Sequence, residues 1–207
     1  MKVIKAYLIY LKELIPFDLN NVKYIVIHHP DSTTATPEEI HQWHIENGWN
    51  GAGYNEYIRK NGDIYIMRGD NIGAQCLNYN SISYGICCEG NYNIEKEMPE
   101  IQKSSLVDRL IFHKNRFKNY ESTLPHSKLV DTNCPGKYFP MQEILKRMEE
   151  AEMFKDEDKI AVYAKEAVDN LEKLGIIHGD TDGNFNPKAS VTREDLAVIL
   201  YNYIKSK

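Results

Sequence analysis

The run Val22-Lys23-Tyr24-Ile25-Val26-Ile27 narrows the fold more than any other stretch of the chain. Apart from Lys23 it is β-branched or aromatic throughout and shows no apolar–polar alternation, so as a strand it is apolar toward both faces. Such a strand is covered on both sides, as in α/β sheets. His28 and His29 follow at once, at the carboxyl end of the strand, where open α/β sheets place their ligands. Successive strand residues face opposite ways, so one of the two histidines enters such a site and the other supports it or meets solvent.

A second chemistry-bearing stretch lies far downstream: Pro125-His126-Ser127-Lys128-Leu129-Val130-Asp131-Thr132-Asn133-Cys134-Pro135-Gly136. A borderline-soft cation such as Zn²⁺ takes imidazole nitrogen and thiolate sulfur, and a catalytic site keeps three protein ligands with the fourth position open. His28, His126 and Cys134 are of the right types. With neither CxxC nor HExxH between them, a histidine and a cysteine at this spacing are more often a core histidine and an inert buried thiol. His41 and His44, three apart on an expected helix, form a rival pair that lacks a third ligand at suitable spacing.

The remaining elements follow from local signals. Residues 3–15 read as a short amphipathic helix ended by Pro16. Thr36-Pro37-Glu38-Glu39 is a capping box with proline at the first helical position, which predicts a helix from Pro37 to about Asn47 stopped by Gly48. Trp43, His44 and Trp49 pack that helix or line a groove. Residues 54–59 and 64–67 flank Asn61-Gly62, a hairpin signal. Residues 81–89 form another strand, in which Cys87 and Cys88 face opposite ways, and the four cysteines imply no disulfide framework. Helices are expected over residues 99–117, with Ile101, Leu106, Leu110 and Ile111 inward and His113 at the surface, and over residues 140–150.

Charge is dense from Glu149 to Lys159, which marks a domain boundary. Residues 1–148 form one domain, 149–158 a linker and 159–207 a second, smaller domain. Beyond the linker, residues 160–174 have helical periodicity, Gly175 stops them, and Thr192-Arg193-Glu194-Asp195 caps a last helix with Val191 and Leu196 as a staple. The acidic loop between them is not an EF-hand: with Gly183 at the sixth position, His178 and Ala189 occupy the first and twelfth.

Three stretches occur in order: Tyr24-Ile25-Val26-Ile27-His28-His29, Gly48-Trp49-Asn50-Gly51-Ala52-Gly53-Tyr54-Asn55, and His126 to Gly136. Together they resemble the zinc-dependent N-acetylmuramoyl-L-alanine amidases that share a fold with peptidoglycan recognition proteins, over roughly residues 22–147. The resemblance implies an α/β fold with a mixed central sheet flanked by helices, and Zn²⁺ held by His28, His126 and Cys134. It implies cleavage of the amide between N-acetylmuramic acid and L-alanine in peptidoglycan. Tyr54 stands where a family tyrosine faces the metal and donates to the oxyanion; Glu89 is the candidate acid; Thr132 stands where relatives place a lysine or threonine that polarises the carbonyl. The alternative is a peptidoglycan-binding protein without catalysis, but such relatives often lack the cysteine that Cys134 provides.

The stretches Gly175-Ile176-Ile177, Gly179-Asp180-Thr181-Asp182-Gly183-Asn184-Phe185-Asn186-Pro187 and Val191-Thr192-Arg193-Glu194 resemble one S-layer homology motif. That implies binding of secondary cell-wall polysaccharide, with Arg193, Asp180 and Asp182 as contacts. Tyr163 stands where the family usually has tryptophan, and a single repeat where three commonly assemble predicts a homo-oligomer through this domain. With a net charge of −5, no basic field argues for nucleic acid. The apolar run over residues 6–11 is shorter than a signal h-region and has no cleavage site after it. The expectation is synthesis in the cytoplasm and release to the wall at lysis by a separate membrane-permeabilising protein (a holin), as for a phage or prophage endolysin; a housekeeping autolysin is the alternative.

Overall fold

The computed structural model describes residues 2–152 and 154–205. The chain divides into two compact units, Met1–Met148 and Glu149–Lys207.

The first unit is built on β2 (Tyr24–His28), whose four residues from Ile25 to His28 are all buried. Among the described residues the sheet has six strands in the order β1-β4-β3-β5-β2-β6. These are β1 (Val3–Lys5), β2, β3 (Glu56–Ile58), β4 (Ile64–Ile66), β5 (Ser83–Cys88) and β6 (Ser122–Pro125). β2 lies between β5 and β6, parallel to both, and only β3 and β4 pair antiparallel, so the sheet is mixed. The β3–β4 hairpin turns at Asn61-Gly62, where Gly62 takes φ +82°, a left-handed conformation that favours glycine.

Each face of the sheet has its own core. Ile25 and Ile27 of β2 pack with Ile58, Ile64, Tyr84, Ile86 and Cys88, under Leu106 and Leu110 of α2 (Glu100–Arg116) and Ile144 and Met148 of α3 (Met141–Glu152). On the other face Tyr57, Met67 and Cys87 pack with Ala35, Ala52 and Ile40 of α1 (Pro37–Glu46). Cys87 and Cys88 thus fall in different cores, and all four cysteines are free. The α1 capping box is formed in full: Glu39 N–H donates to Thr36 Oγ1 at 3.1 Å, and Thr36 N–H to the Glu39 carboxylate at 2.7 Å.

Three sequence expectations are corrected here. Residues 3–15 are not a helix: β1 pairs parallel with β4, and the chain runs on without helical turns, bending at Leu11 and Lys12, to a bridge between Pro16 and Asn71. The burial there alternates with period two, Ala6 inside while Tyr7 and Ile9 are 89% and 86% exposed, which is the strand period rather than the helical one. Ile101 faces outward, at 49% exposed. His113 is wholly buried rather than at the surface: its Nε2 lies 2.7 Å from Glu56 Oε1, and the same carboxylate receives Arg109 and, at 3.1 Å, the Tyr84 hydroxyl. Burial pushes the Glu56 pKa up, but His113 and Arg109 more than offset it and hold the carboxyl at about 2. Burial lowers the His113 pKa against the pull of Glu56.

The second unit contains α4 (Val162–Lys173) and α5 (Arg193–Lys205). Its core is Phe154, Ile160 and Val168, flanked by Ala164, Ile177 and Phe185. Asp156 is buried and accepts from the backbone N–H of Phe185 (2.7 Å) and Asn186 (3.0 Å), so the charge-dense stretch supplies both an apolar anchor and a loop clamp. Asp180 organises the loop over residues 179–187, accepting from Asp182 N–H and Asn184 N–H at 2.9 Å each and from Asn186 Nδ2 at 2.7 Å. No described helix is long and apolar enough to cross a membrane.

Candidate metal centre

Strand register explains how residues so distant in sequence meet. Ile27 of β2 pairs with Pro125 of β6 in parallel, so the next residue on each strand, His28 and His126, emerges from the same sheet end side by side. Their ring centroids are 4.4 Å apart. The chain turns at His126–Lys128 and loops back, with Ser127 N–H donating to the Cys134 carbonyl at 3.0 Å. This returns the thiol to the strand ends, 3.6 Å from His28 Nδ1. One donor atom from each of His28, His126 and Cys134 lies within 4.8 Å of the other two. Among the described residues these three form the one His/Cys/Asp/Glu group that could hold a metal ion.

The electrostatics suit a soft cation. Burial, reinforced by the neighbouring His126, lowers the His28 pKa well below its ordinary value, and burial lowers that of His126. Both imidazoles are therefore neutral with a lone pair to offer. Burial raises the Cys134 thiol to about 12, with the His29 backbone pulling the other way. A thiol so placed ionises when a cation replaces its proton, which couples metal uptake to proton release.

Tyr54 stands beside the cluster, its ring 5.1 Å from that of His28. Burial, with the Cys87 and Cys134 thiols, raises its pKa well above the usual phenol value, so its hydroxyl remains a donor. The rings of His44 and Trp49 extend the row outward, His44 being 5.5 Å from Tyr54 and 4.8 Å from Trp49, which is half exposed. His41 and His44 do not make a metal pair. His41 Nδ1 accepts from Ala52 N–H at 3.1 Å and its Nε2 reaches the Ile9 carbonyl, while His44 Nδ1 accepts from Gly53 N–H at 2.9 Å. His29 accepts from Tyr92 N–H at 3.1 Å, a supporting role.

Thr132 shapes the ligand loop, its hydroxyl accepting from Cys134 N–H at 3.3 Å. Glu89 is placed elsewhere. It is buried, paired with Arg59 at 2.9 and 3.1 Å, and accepts from Lys60 N–H (2.8 Å) and Ala35 N–H (3.2 Å). These partners outweigh its burial and lower its pKa, so Glu89 holds no proton to donate at neutral pH and fixes local structure instead. Gln75 was not visible as a site residue in the sequence: its side-chain oxygen contacts His28 Nε2 inside the protein. A lone glutamine in an irregular loop carries no motif. In the second unit Arg193 opens α5 and Asp182 is exposed, whereas Asp180 is committed to its own loop.

Comparison with known proteins places this geometry. The family model described as N-acetylmuramoyl-L-alanine amidase matches residues 18–137, and that described as S-layer homology domain matches residues 154–197. The chain is 35% identical over 130 residues to peptidoglycan-recognition protein LB of Drosophila melanogaster, covering 55% of this chain and 54% of that protein. The chain thus spans about half the length of that relative. It is 31% identical over 117 residues to an endolysin of Klebsiella phage KP32, covering 52% of this chain and 77% of that protein. Among solved structures, the N-acetylmuramoyl-L-alanine amidase LysC from Clostridium intestinale URNW superposes with a TM-score of 0.66 at 31% identity, over 72% of this chain and 98% of that one.

Proposed function

Because the chain belongs to the N-acetylmuramoyl-L-alanine amidase family, we propose that it is a zinc-dependent peptidoglycan hydrolase of endolysin type that cleaves the bond between N-acetylmuramic acid and L-alanine. The observation that carries this is the convergence of His28, His126 and Cys134 at one sheet end beside the Tyr54 ring. Two neutral imidazoles and one thiol match a catalytic zinc site with three protein ligands. A zinc ion held there supplies a Lewis acid for the scissile carbonyl and an activated water.

The chain's own residues supply the rest. Parallel strands β2 and β6 fix the two histidines, so the donor set is preformed rather than assembled on binding. Tyr54, kept protonated by burial, donates a hydrogen bond to the oxygen that becomes negative as the carbonyl is attacked. Trp49 and His44 offer ring faces along the approach to the cluster. Thr132 holds the backbone of Cys134 in the conformation that aims the thiol inward.

For the second unit we propose attachment to cell-wall polysaccharide through Arg193 and Asp182, and association with a second copy of itself. The support for association is α5, none of whose side chains is buried: Leu196, Leu200 and Ile204, spaced four apart along one stripe, are 48%, 52% and 70% exposed.

The test is zinc content together with turbidity loss on purified Gram-positive cell walls, for the wild type, Cys134→Ser and Tyr54→Phe. The wild type is expected to carry about one zinc per chain and to release new L-alanine amino termini, and Cys134→Ser to lose both. Tyr54→Phe should retain the zinc and lose about 10²–10³-fold in turnover. Zinc binding with walls left intact, from every source tried, would replace hydrolysis by peptidoglycan recognition.

A further inference from the structure

We propose that Gln75 is the positioning residue that sets the tautomer of His28 and thereby reserves its Nδ1 for the metal; this rests on His28 being a metal ligand. The inference follows from a chain of hydrogen bonds whose direction has one solution. The chain ends on the Tyr79 carbonyl, which can only accept. Ser83 Oγ donates to it at 2.8 Å. With its one hydrogen committed, Ser83 Oγ accepts, and the group 2.8 Å away is Gln75 Nε2. That fixes the Gln75 amide with its nitrogen on Ser83 and its oxygen on His28.

An amide oxygen has no hydrogen to give, so His28 Nε2 must carry the proton and donate it. Nδ1 is left with the lone pair, and Nδ1 is the atom 3.6 Å from the Cys134 sulfur. A buried neutral imidazole without this partner can hold its hydrogen on Nδ1 instead, the position that coordination needs empty. Water offers no substitute, because His28 and Ser83 are at most 1% exposed and Gln75 is 9% exposed.

The surroundings hold Gln75 to this task. The backbone N–H groups of Gln75 and Cys76 both donate to Asn80 Oδ1 at 2.9 Å, which pins the loop. Gly85 of β5 makes the room: a Cβ there would stand 2.7 Å from Gln75 Cγ and 2.8 Å from its Cδ. An uncharged acceptor orients the ring without adding a second negative group beside the thiolate.

The experiment compares the full-length wild type with Gln75→Leu and Gln75→Glu by two readouts. One is zinc affinity from chelator competition; the other is the ¹⁵N NMR signature of the His28 ring in metal-free protein. The wild type should show the Nε2–H form. Gln75→Leu, close in shape and without an acceptor, should show Nδ1–H and bind zinc about 10–100-fold more weakly. Gln75→Glu, which can still accept, should restore both. Should Gln75→Leu fail to fold, Ser83→Ala, which releases the amide to rotate, should move both readouts in the same direction by less. An Nδ1–H ring in the wild type, or undiminished zinc affinity in a folded Gln75→Leu, would overturn the proposal. A wild type that binds no zinc would sink the hydrolase reading instead, while the metal-free tautomer would still decide the role of Gln75.

Discussion

The two units solve the problem of burial differently. In the first, both sheet faces are covered and the two buried glutamates are compensated: Glu56 meets Arg109, His113 and Tyr84, and Glu89 meets Arg59 and two backbone N–H groups. In the second, four apolar residues are buried among those described, Phe154, Ile160, Val168 and Ile176, while Val162 and Tyr163 of α4 are about nine-tenths exposed and α5 buries none of its side chains. A segment of about 50 residues has little interior to gain from folding. The first unit covers both faces of its sheet with its own elements, whereas the second leaves apolar side chains of α4 and α5 exposed.

The largest predicted effect attacks the first unit where its compensation is tightest. Glu56→Ala leaves Arg109 buried without its counter-charge and His113 Nε2 without its acceptor, a loss of about 3–5 kcal/mol. Urea unfolding of the full chain, followed by a probe in each unit, should show the first transition moved far down and the second unmoved. Acid should act on the wild type the same way. The folded pKa of His113 is lowered, so below about 6.5 the unfolded state takes up the proton first and stability falls with falling pH. The folded pKa of Glu56 is about 2, so its contribution is whole above the unfolded value near 4.3 and disappears as pH falls through 2. A first transition that is insensitive to pH between 7.5 and 4, or a Glu56→Ala cost below about 1 kcal/mol, would mean that the cluster is not what holds this unit.

Much of this first unit was legible because its signals are local. The Val22–Ile27 run gave the central strand, the Thr36-Pro37-Glu38-Glu39 box gave α1, and Asn61-Gly62 gave the hairpin. What escaped depends on partners distant in sequence. His113 on a helix reads as a solvated residue until Glu56, 57 positions earlier, is brought against it. Glu89 looked like an acid near a site until Arg59, 30 positions away, claimed it. The N-terminal segment has apolar residues consistent with two periods, and the period was decided by pairing with β4, which the segment itself does not encode. Gln75 carries no reactive group, so nothing marked it before His28 was placed beside it.

A middle-sized effect tests the incomplete half of the comparison. If α5 covers itself with a second copy, Leu200→Asp in the centre of the Leu196–Leu200–Ile204 stripe should weaken association by about 2 kcal/mol, roughly 30-fold in dissociation constant. Light scattering of the full chain at micromolar concentration should give a mass above the monomer for the wild type and approach the monomer for the variant, with the zinc content of the first unit unchanged. A wild type that is monomeric throughout that range would leave the stripe to a different partner.

The smallest effect is a matched pair of substitutions, one in each unit. Thr36 and Thr192 cap α1 and α5 in the same way: each hydroxyl accepts from the N–H three residues on, Glu39 at 3.1 Å and Asp195 at 3.0 Å, and each backbone N–H is answered by that residue's carboxylate. Replacing either threonine by alanine removes a bond worth about 1 kcal/mol. The consequence should differ because the helices are held differently. α1 also buries Ile40 and His41 against the sheet side of its unit, so Thr36→Ala should only lower the first melting transition by about 2–4 °C. α5 has no buried side chain to hold its first turn once the cap is gone, so Thr192→Ala should show as fraying. Amide exchange resolves the two cases: protection at the start of α5 should fall by about fivefold under Thr192→Ala, whereas protection at the start of α1 should track only the global stability of its unit. Equal local responses in the two helices would show that α5 is packed as firmly as α1, and the proposed dependence of the second unit on a partner would fail at its weakest point.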